Sequence, residues 1–227
     1  VDIYGRAPGY LDPMGCERIG HGGASAIERA NTLASFDAAC AIGVDMIEFD
    51  VRAWRGELVL AHTVWHARLG ANLRLRQALE HLATARFADI GLHLDVKHTG
   101  CEEPILAELR RARLLDRTLL CSQVPGVLDR FRAIEPAAQV GISVGGRVAR
   151  FSCRWGDWRA AVLRGLATRR WDALMAQHKL VDASLIEAVS GCGARLYAWT
   201  VNERGMIDSL RGLGVHGITT ADPRLFA

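Results

Sequence analysis

Glu48 and Asp50 sit two apart in the run Met46-Ile47-Glu48-Phe49-Asp50-Val51-Arg52, and Asp95 and Lys97 sit two apart at the end of Ile90–Lys97. In a strand, two-residue spacing puts side chains on one face. Glu48, Asp50 and Arg52 therefore oppose Ile47, Phe49 and Val51, while His93, Asp95 and Lys97 oppose Leu92, Leu94 and Val96. The aliphatic faces suit packing on helices, which turns the charged faces inward. A buried carboxylate is costly unless it pairs with a cation. Glu48, Asp50 and Asp95 offer the oxygen donors that Mg²⁺ or Ca²⁺ takes. His21 and His62 each close an apolar run, and two imidazoles over a carboxylate-bound cation suit a general acid and a general base. Gly22 and Gly23 allow a sharp turn after His21 and are expected to leave backbone N–H groups open to an anion. The chemistry these groups suit is metal-assisted cleavage of a phosphate ester.

Such groups must be carried to one rim by several strands. Strand-like runs fall at Arg18–His21, Asp45–Arg52, Leu58–His62, Ile90–Lys97, Thr118–Ser122, Gln139–Val144, Ala173–Gln177, Arg195–Val201 and Gly217–Thr220. Helix-like periodicity falls at Thr32–Ile42, Leu73–Arg86, Glu102–Ala112, Val127–Ile134, Trp158–Thr168, Ala183–Ser190 and Arg204–Leu213. Asn31 is the expected N-cap of the first helix, and Gly214 ends the last. Leu58–His62 follows Gly56 and reads as a hairpin return. Without it, eight strands alternate with helices, the pattern of an α/β (β/α)8 barrel, whose chemistry lies at the C-terminal ends of the strands. A doubly wound sheet is the runner-up, but Gly20-His21-Gly22-Gly23 lacks the dinucleotide-binding spacing. No internal boundary is visible, so residues 1–227 read as one barrel domain, with Val1–Gly15 as a loop over one end.

Composition narrows the partners. The chain has 227 residues, half of them hydrophobic, enough to bury a large core. A net charge of +3 with scattered arginines is no nucleic-acid footprint, but it suits a small anionic substrate. No run is long enough to span a membrane. The six cysteines form no CxxC pair, and Cys40 and Cys121 read as buried thiols, so a reducing, cytoplasmic setting is expected. Nothing in the chain speaks to oligomeric state.

The order and spacing of several segments resemble the glycerophosphodiester phosphodiesterase family. They are His21-Gly22-Gly23-Ala24-Ser25 leading to Asn31-Thr32-Leu33-Ala34-Ser35-Phe36, then Gly43–Arg52, Leu58–His62, Tyr197–Asn202 and Leu213–Pro223. The resemblance spans residues 18 to 223. It implies a barrel, a divalent cation and hydrolysis of diesters such as glycerophosphocholine to glycerol 3-phosphate and an alcohol. It assigns His21 and His62 as the acid and base pair, and Glu48, Asp50 and Asp95 as metal ligands. Lys97 falls to the phosphate or a ligand carboxylate, and Trp199 to the substrate pocket. The chain departs from the pattern in four places. Gly22 replaces an arginine, Ala30 a glutamate, Thr63 an aspartate, and Asp95 a glutamate. Arg29 or Arg52 is expected to supply the missing phosphate contact. The Asp-x-Lys pattern also resembles the related sphingomyelinase D toxins. That leaves a lysophospholipase D-like activity yielding a cyclic phosphate, or a non-catalytic phosphodiester-binding barrel, as alternatives.

The remaining singular residues have plainer expectations. His66, His81, His98 and His216 read as surface residues and His93 as packing deeper in the barrel. His178 reads as a residue near the rim. The aromatic stretch Phe151–Trp158 reads as helix packing or as an apolar wall by the site.

Overall fold

The structure, a computed structural model, describes residues 15–146 and 155–227. Eight parallel strands close on themselves, and helices between them cover the outside. The strands are β1 (Glu17–His21), β2 (Met46–Trp54), β4 (Gly91–Val96), β5 (Thr118–Ser122), β6 (Gln139–Val144), β7 (Ala173–Gln177), β8 (Arg195–Trp199) and β9 (Gly217–Thr220). Neighbours run β1-β9-β8-β7-β6-β5-β4-β2, and a parallel β1–β2 pairing closes the ring. This is the expected (β/α)8 barrel. The ninth strand, β3 (Glu57–Leu60), is the hairpin return. It runs antiparallel to Val51–Trp54, and all of that segment but Val51 extends past the pairing of β2 with β1 and β4. Positive φ at Arg55 and Gly56 gives the two-residue turn that such a hairpin favours.

The outer layer follows the helical periodicity closely. It comprises α1 (Leu33–Ile42), α2 (Val64–Leu69), α3 (Leu75–Leu82), α4 (Glu102–Ala112), α5 (Pro125–Ile134), α6 (Trp155–Ala167), α7 (Ala183–Gly191) and α8 (Arg204–Leu213). The six-residue α2 has too few turns to show a period and was not expected. The predicted helix over Leu73–Arg86 splits into α3 and a 3-10 turn at Ala85–Phe87. The N-cap of α1 is Thr32, not Asn31. Its hydroxyl accepts from Ser35 N at 3.2 Å, while Ser35 Oγ accepts from Thr32 N. Asn31 instead takes a left-handed conformation with φ 61°, a job asparagine tolerates.

Two cores hold the barrel. A broad layer between strands and helices contains Phe36, Ile47, Phe49, Leu79, Leu92, Leu94 and their neighbours, all fully buried. Inside the ring, a small plug of Ile19, Met46, Leu119, Cys121, Ala173, Met175 and Tyr197 fills the lower half. The charged layer sits above this plug. Cys121 is buried as expected, but Cys40 is only partly so, and all five described cysteines are free thiols. Val1–Met14, Cys153 and the Phe151–Arg154 stretch lie outside the described residues. Trp158 packs against the broad outer core, which matches the helix-packing reading.

Candidate active site

Register brings the chemistry together. The β1–β2 pairing sets His21 beside Glu48, and the β2–β4 pairing sets Asp50 beside Asp95. Alternation along β2 buries Ile47, Phe49 and Val51 outward, so Glu48 and Asp50 point into the barrel with about 5% and 4% of their surface exposed. One oxygen from each of Glu48, Asp50 and Asp95 lies within 4.8 Å of the others. Three carboxylates at such distances repel one another unless cations lie between them.

Lys97 is the first such cation. Its Nζ lies 2.6 Å from Asp50 Oδ1 and 2.5 Å from Asp95 Oδ2. Burial alone pushes the Asp50 carboxyl upward, but the hydrogen bond from His62 and the charge of Lys97 outweigh it and hold Asp50 well below the usual range. Burial lowers Lys97, yet Asp95 and Asp50 together lift it above an ordinary lysine. Glu48 lacks such a partner, and burial together with the Asp50 charge raises it well above its ordinary value. Asp95 is also raised, by burial first, with Lys97 opposing. Its Oδ1 is buried with no hydrogen-bond partner. One ammonium against three carboxylates leaves a deficit of about two positive charges. A divalent cation fits that deficit, and the unpartnered Asp95 oxygen fits a ligand.

Both histidines flank this cluster. His62 Nδ1 meets Asp50 Oδ1 at 3.0 Å, which favours the tautomer with Nε2 turned to the cavity. His21 Nε2 lies 3.8 Å from Glu48 Oε2, and its Nδ1 is 3.4 Å from Thr200 Oγ1. Burial lowers the pKa of His21, with the Asp50 charge opposing. His93 lies beneath, buried at the floor of the inner cavity, and burial and Lys97 push it down to about 3, so the ring there is neutral.

Asn31 was missed as a site residue. Its amide donates to Asp50 Oδ2 at 2.9 Å and its carbonyl accepts from Asp50 N at 3.1 Å. The left-handed backbone at Asn31 makes this double contact, and a sequence reveals that only through asparagine's tolerance for it. The expectation for Gly22 and Gly23 is half right. Both have positive φ and turn the chain, but their N–H groups are used internally. Gly22 N donates to Glu48 Oε2 at 2.9 Å and Gly23 N to Glu48 O at 3.3 Å. They therefore orient a carboxylate and are not free for an anion. His98 and His216 correct the surface reading, since each accepts a backbone N–H, from Ala53 and Leu196 respectively.

Two cavities meet at the histidines. The inner one, about 310 Å³, is lined by the carboxylates, Lys97 and Trp199, with Gln123, Ser143 and Thr219 around them. Trp199 is fixed there by its Nε1 donating to Met175 O at 3.0 Å. The outer one, about 350 Å³, shares His21, Asp50 and His62 and adds Arg29, His66 and Asn72. Arg52 lines neither; its guanidinium donates to His62 O at 3.4 Å. Of the two arginines expected to compensate for Gly22, Arg29 lines the outer cavity and Arg52 lines neither of these two. His178 lines a separate hollow behind Trp199.

Comparison with known proteins gives a consistent picture. The model of the Glycerophosphoryl diester phosphodiesterase family matches residues 21–88 and 106–225. The unmatched residues 89–105 include Asp95 and Lys97. A Mycobacterium tuberculosis protein named "Probable glycerophosphodiester phosphodiesterase 2" is 24% identical over 217 residues, 84% of this chain and 81% of that protein. A glycerophosphoryl diester phosphodiesterase-type structure from Silicibacter pomeroyi DSS-3 matches with TM-score 0.79 at 21% identity, covering 95% of this chain and 92% of that one. An Oleispira antarctica phosphodiesterase, solved in complex with the product sn-glycerol-3-phosphate, matches with TM-score 0.71 at 19% identity, covering 92% and 94%. No helix among the described residues is long and apolar enough to cross a membrane.

Proposed function

The chain belongs to the glycerophosphoryl diester phosphodiesterase family, and from that premise we propose a metal-dependent hydrolase of glycerophosphodiesters, acting through Glu48, Asp50, Asp95, His21, His62 and Lys97. The observation that carries the metal reading is the trio of carboxylates, two buried and one partly so, with a single ammonium among them. Glu48, Asp50 and Asp95 would hold one Mg²⁺ or Ca²⁺, which when bound supplies positive charge to the phosphoryl oxygens.

The residues of the chain divide the rest of the work. The phosphoryl group fits where the two cavities meet, between His21 and His62. These two imidazoles share the proton transfers, one taking the proton of the attacking hydroxyl and the other giving one to the leaving alcohol. Asp50 orients His62, and Asn31 orients Asp50. Lys97, with Arg29 from the outer cavity, offsets the negative charge that grows on the phosphoryl oxygens. Ser143, Thr200 and Thr219 give the inner cavity hydroxyls suited to a glycerol moiety, with Trp199 as its wall. The outer cavity then receives the leaving alcohol.

Phosphorus NMR with glycerophosphocholine and with a lysophospholipid tests this, each run with Mg²⁺, with Ca²⁺ and with chelator. Glycerol 3-phosphate released only with metal supports hydrolysis. A cyclic phosphate, mainly from the lysolipid, moves the chain to the phospholipase D-like reaction. Binding without turnover under every metal condition overturns the enzymatic reading.

A further inference from the structure

The hairpin β2–β3 and α2 form a unit of their own beside the mouth of the barrel. Val59, Ala61 and Ala67 make its small core, with Trp54 packed against it, apart from both cores of the barrel. Successive residues of a helix turn by about 100°, so in α2 His66 and Ala67 take one side and Val64, Trp65, Arg68 and Leu69 the other. The first side faces inward: Ala67 is buried and His66 lines the outer cavity. The second is apolar yet faces water, with Val64 50%, Trp65 63% and Leu69 78% exposed. Seven large apolar side chains are exposed among the described residues, and three of them fall within this one short helix.

Cations accompany this patch. Arg68 lies over the Trp65 ring at 5.6 Å, and Arg55, at the hairpin tip, over Trp54 at 5.8 Å. Neither arginine has an ion-pair partner among the described residues. Between Trp54 and Arg74 the one carboxylate is Glu57, and it faces Arg74 at 3.8 Å.

We propose that this unit docks the mouth of the barrel on an anionic lipid surface. Side chains this exposed stand out from the molecule, which suits insertion into a yielding surface better than a fit to a rigid partner. A stable protein interface buries about 800 Å² on each side, more than a six-residue helix offers. Tryptophan and arginine suit the headgroup region, where the ring enters the acyl boundary and the guanidinium stays with the phosphates. The excess of arginine selects negative charge. His66 lies on the opposite side of α2 from the patch, so docking holds the outer cavity about one helix diameter, roughly 10 Å, from the lipid. The consequence for turnover, that lipid-borne diesters enter from that side, rests on the diesterase reading; the docking does not.

Vesicle flotation of the full chain tests it, with phosphatidylcholine alone and with phosphatidylcholine mixed with phosphatidylserine. The chain floats with the mixed vesicles, less so in high salt, and stays behind with phosphatidylcholine alone. Trp65→Ser combined with Leu69→Ser cuts the bound fraction about tenfold or more, and Arg68→Glu also weakens it. Both variants keep the wild-type rate on water-soluble glycerophosphocholine. Failure of the wild type to float, equal flotation with both vesicles, or equal flotation of the variants overturns the proposal. So does a lipid-free dimer that the double variant dissolves. A chain that floats but cleaves nothing keeps the docking and loses the diesterase reading, and one that cleaves but does not float does the reverse.

Discussion

Asp50 is the residue on which the site converges, since Lys97, His62 and Asn31 all bind its carboxylate. Removing the Asn31 amide leaves Asp50 free to turn. Asn31→Gly deletes the side chain but tolerates φ 61°, so it isolates the contact from backbone strain. The expected outcome is a cation requirement raised about 10–100-fold, with little change in rate at saturating metal, as for other groups that orient a ligand. Activity measured against metal concentration checks this; an unchanged metal requirement would remove Asn31 from the site. The ligands themselves should act more strongly. In Glu48→Gln, activity falls about 100-fold or more. Mg²⁺ or Ca²⁺ should raise the melting temperature of the wild type, by an amount corresponding to about 2.7 kcal/mol at a hundredfold excess over the dissociation constant. The same titration of Glu48→Gln should show little or no rise. At this scale the sequence was readable wherever strand alternation governs. Glu48, Asp50, Asp95 and Lys97 face inward because their neighbours are aliphatic. It was unreadable where a loop governs, as with Asn31 and the N–H groups of Gly22 and Gly23.

Two elements show how local structure holds these residues. The turn after β1 passes so close to α1 that a methyl group on Gly23 would lie 2.6 Å from the Ser35 carbonyl and hydroxyl, at φ 84°. Gly23→Ala should therefore combine a left-handed penalty of about 1–2 kcal/mol with overpacking of about 1–3 kcal/mol. At about 2–4 °C per kcal/mol for a chain of this size, melting should drop by roughly 4–20 °C. Thermal melting checks this. The opposite end of the barrel holds a pH-sensitive joint. His216 Nδ1 accepts the backbone N–H of Leu196 at 3.2 Å, so the ring must be unprotonated there. Burial, with Arg195 adding to it, lowers its pKa below the ordinary 6.5. The unfolded chain therefore binds more protons between 6.5 and the lower folded value. The contribution of His216 is complete above pH 6.5 and drains away as the pH falls through that window. His216→Asn keeps an acceptor but has no proton to gain, so its melting temperature should fall less between pH 7 and pH 5 than that of the wild type. Parallel slopes for the two proteins would remove His216 as the cause. A sequence could not reveal this joint, because a lone histidine between α8 and β9 reads as a surface residue. The boundaries of most other elements were visible because their periodicity extends over ten residues or so.

For the whole molecule, alternation of strands and helices was enough to read a parallel sheet covered on both faces, and eight such strands without a dinucleotide-binding spacing favoured the closed barrel over the open doubly wound sheet. The α2 part of the unit between Trp54 and Arg74 was less legible than the hairpin, because the unit's core is three buried residues with Trp54 packed against them and its helix is too short to show a period. The barrel's two cores should also have separable duties, which a sequence does not distinguish because both are apolar. Met46 belongs to the inner plug, two residues before Glu48 on the same strand face, and a methyl group on Gly91 would lie only 3.1 Å from its Cγ. Leu79 belongs to the outer layer and is equally buried. Truncating either to alanine should cost about 2–5 kcal/mol through lost burial and a cavity. Both variants should then melt at temperatures lowered by roughly 4–20 °C. Their kinetics should differ. In Met46→Ala the floor beneath Glu48 is gone, so the carboxylates lose their fixed spacing, and the metal requirement rises along with a loss of rate. In Leu79→Ala the plug and charged layer are untouched, and the surviving folded protein keeps its rate and its metal requirement. Measuring both parameters well below each variant's melting temperature separates the two duties. Equal kinetic damage from Leu79→Ala would mean that the barrel transmits any packing defect to its mouth and that the plug has no special part in supporting the site.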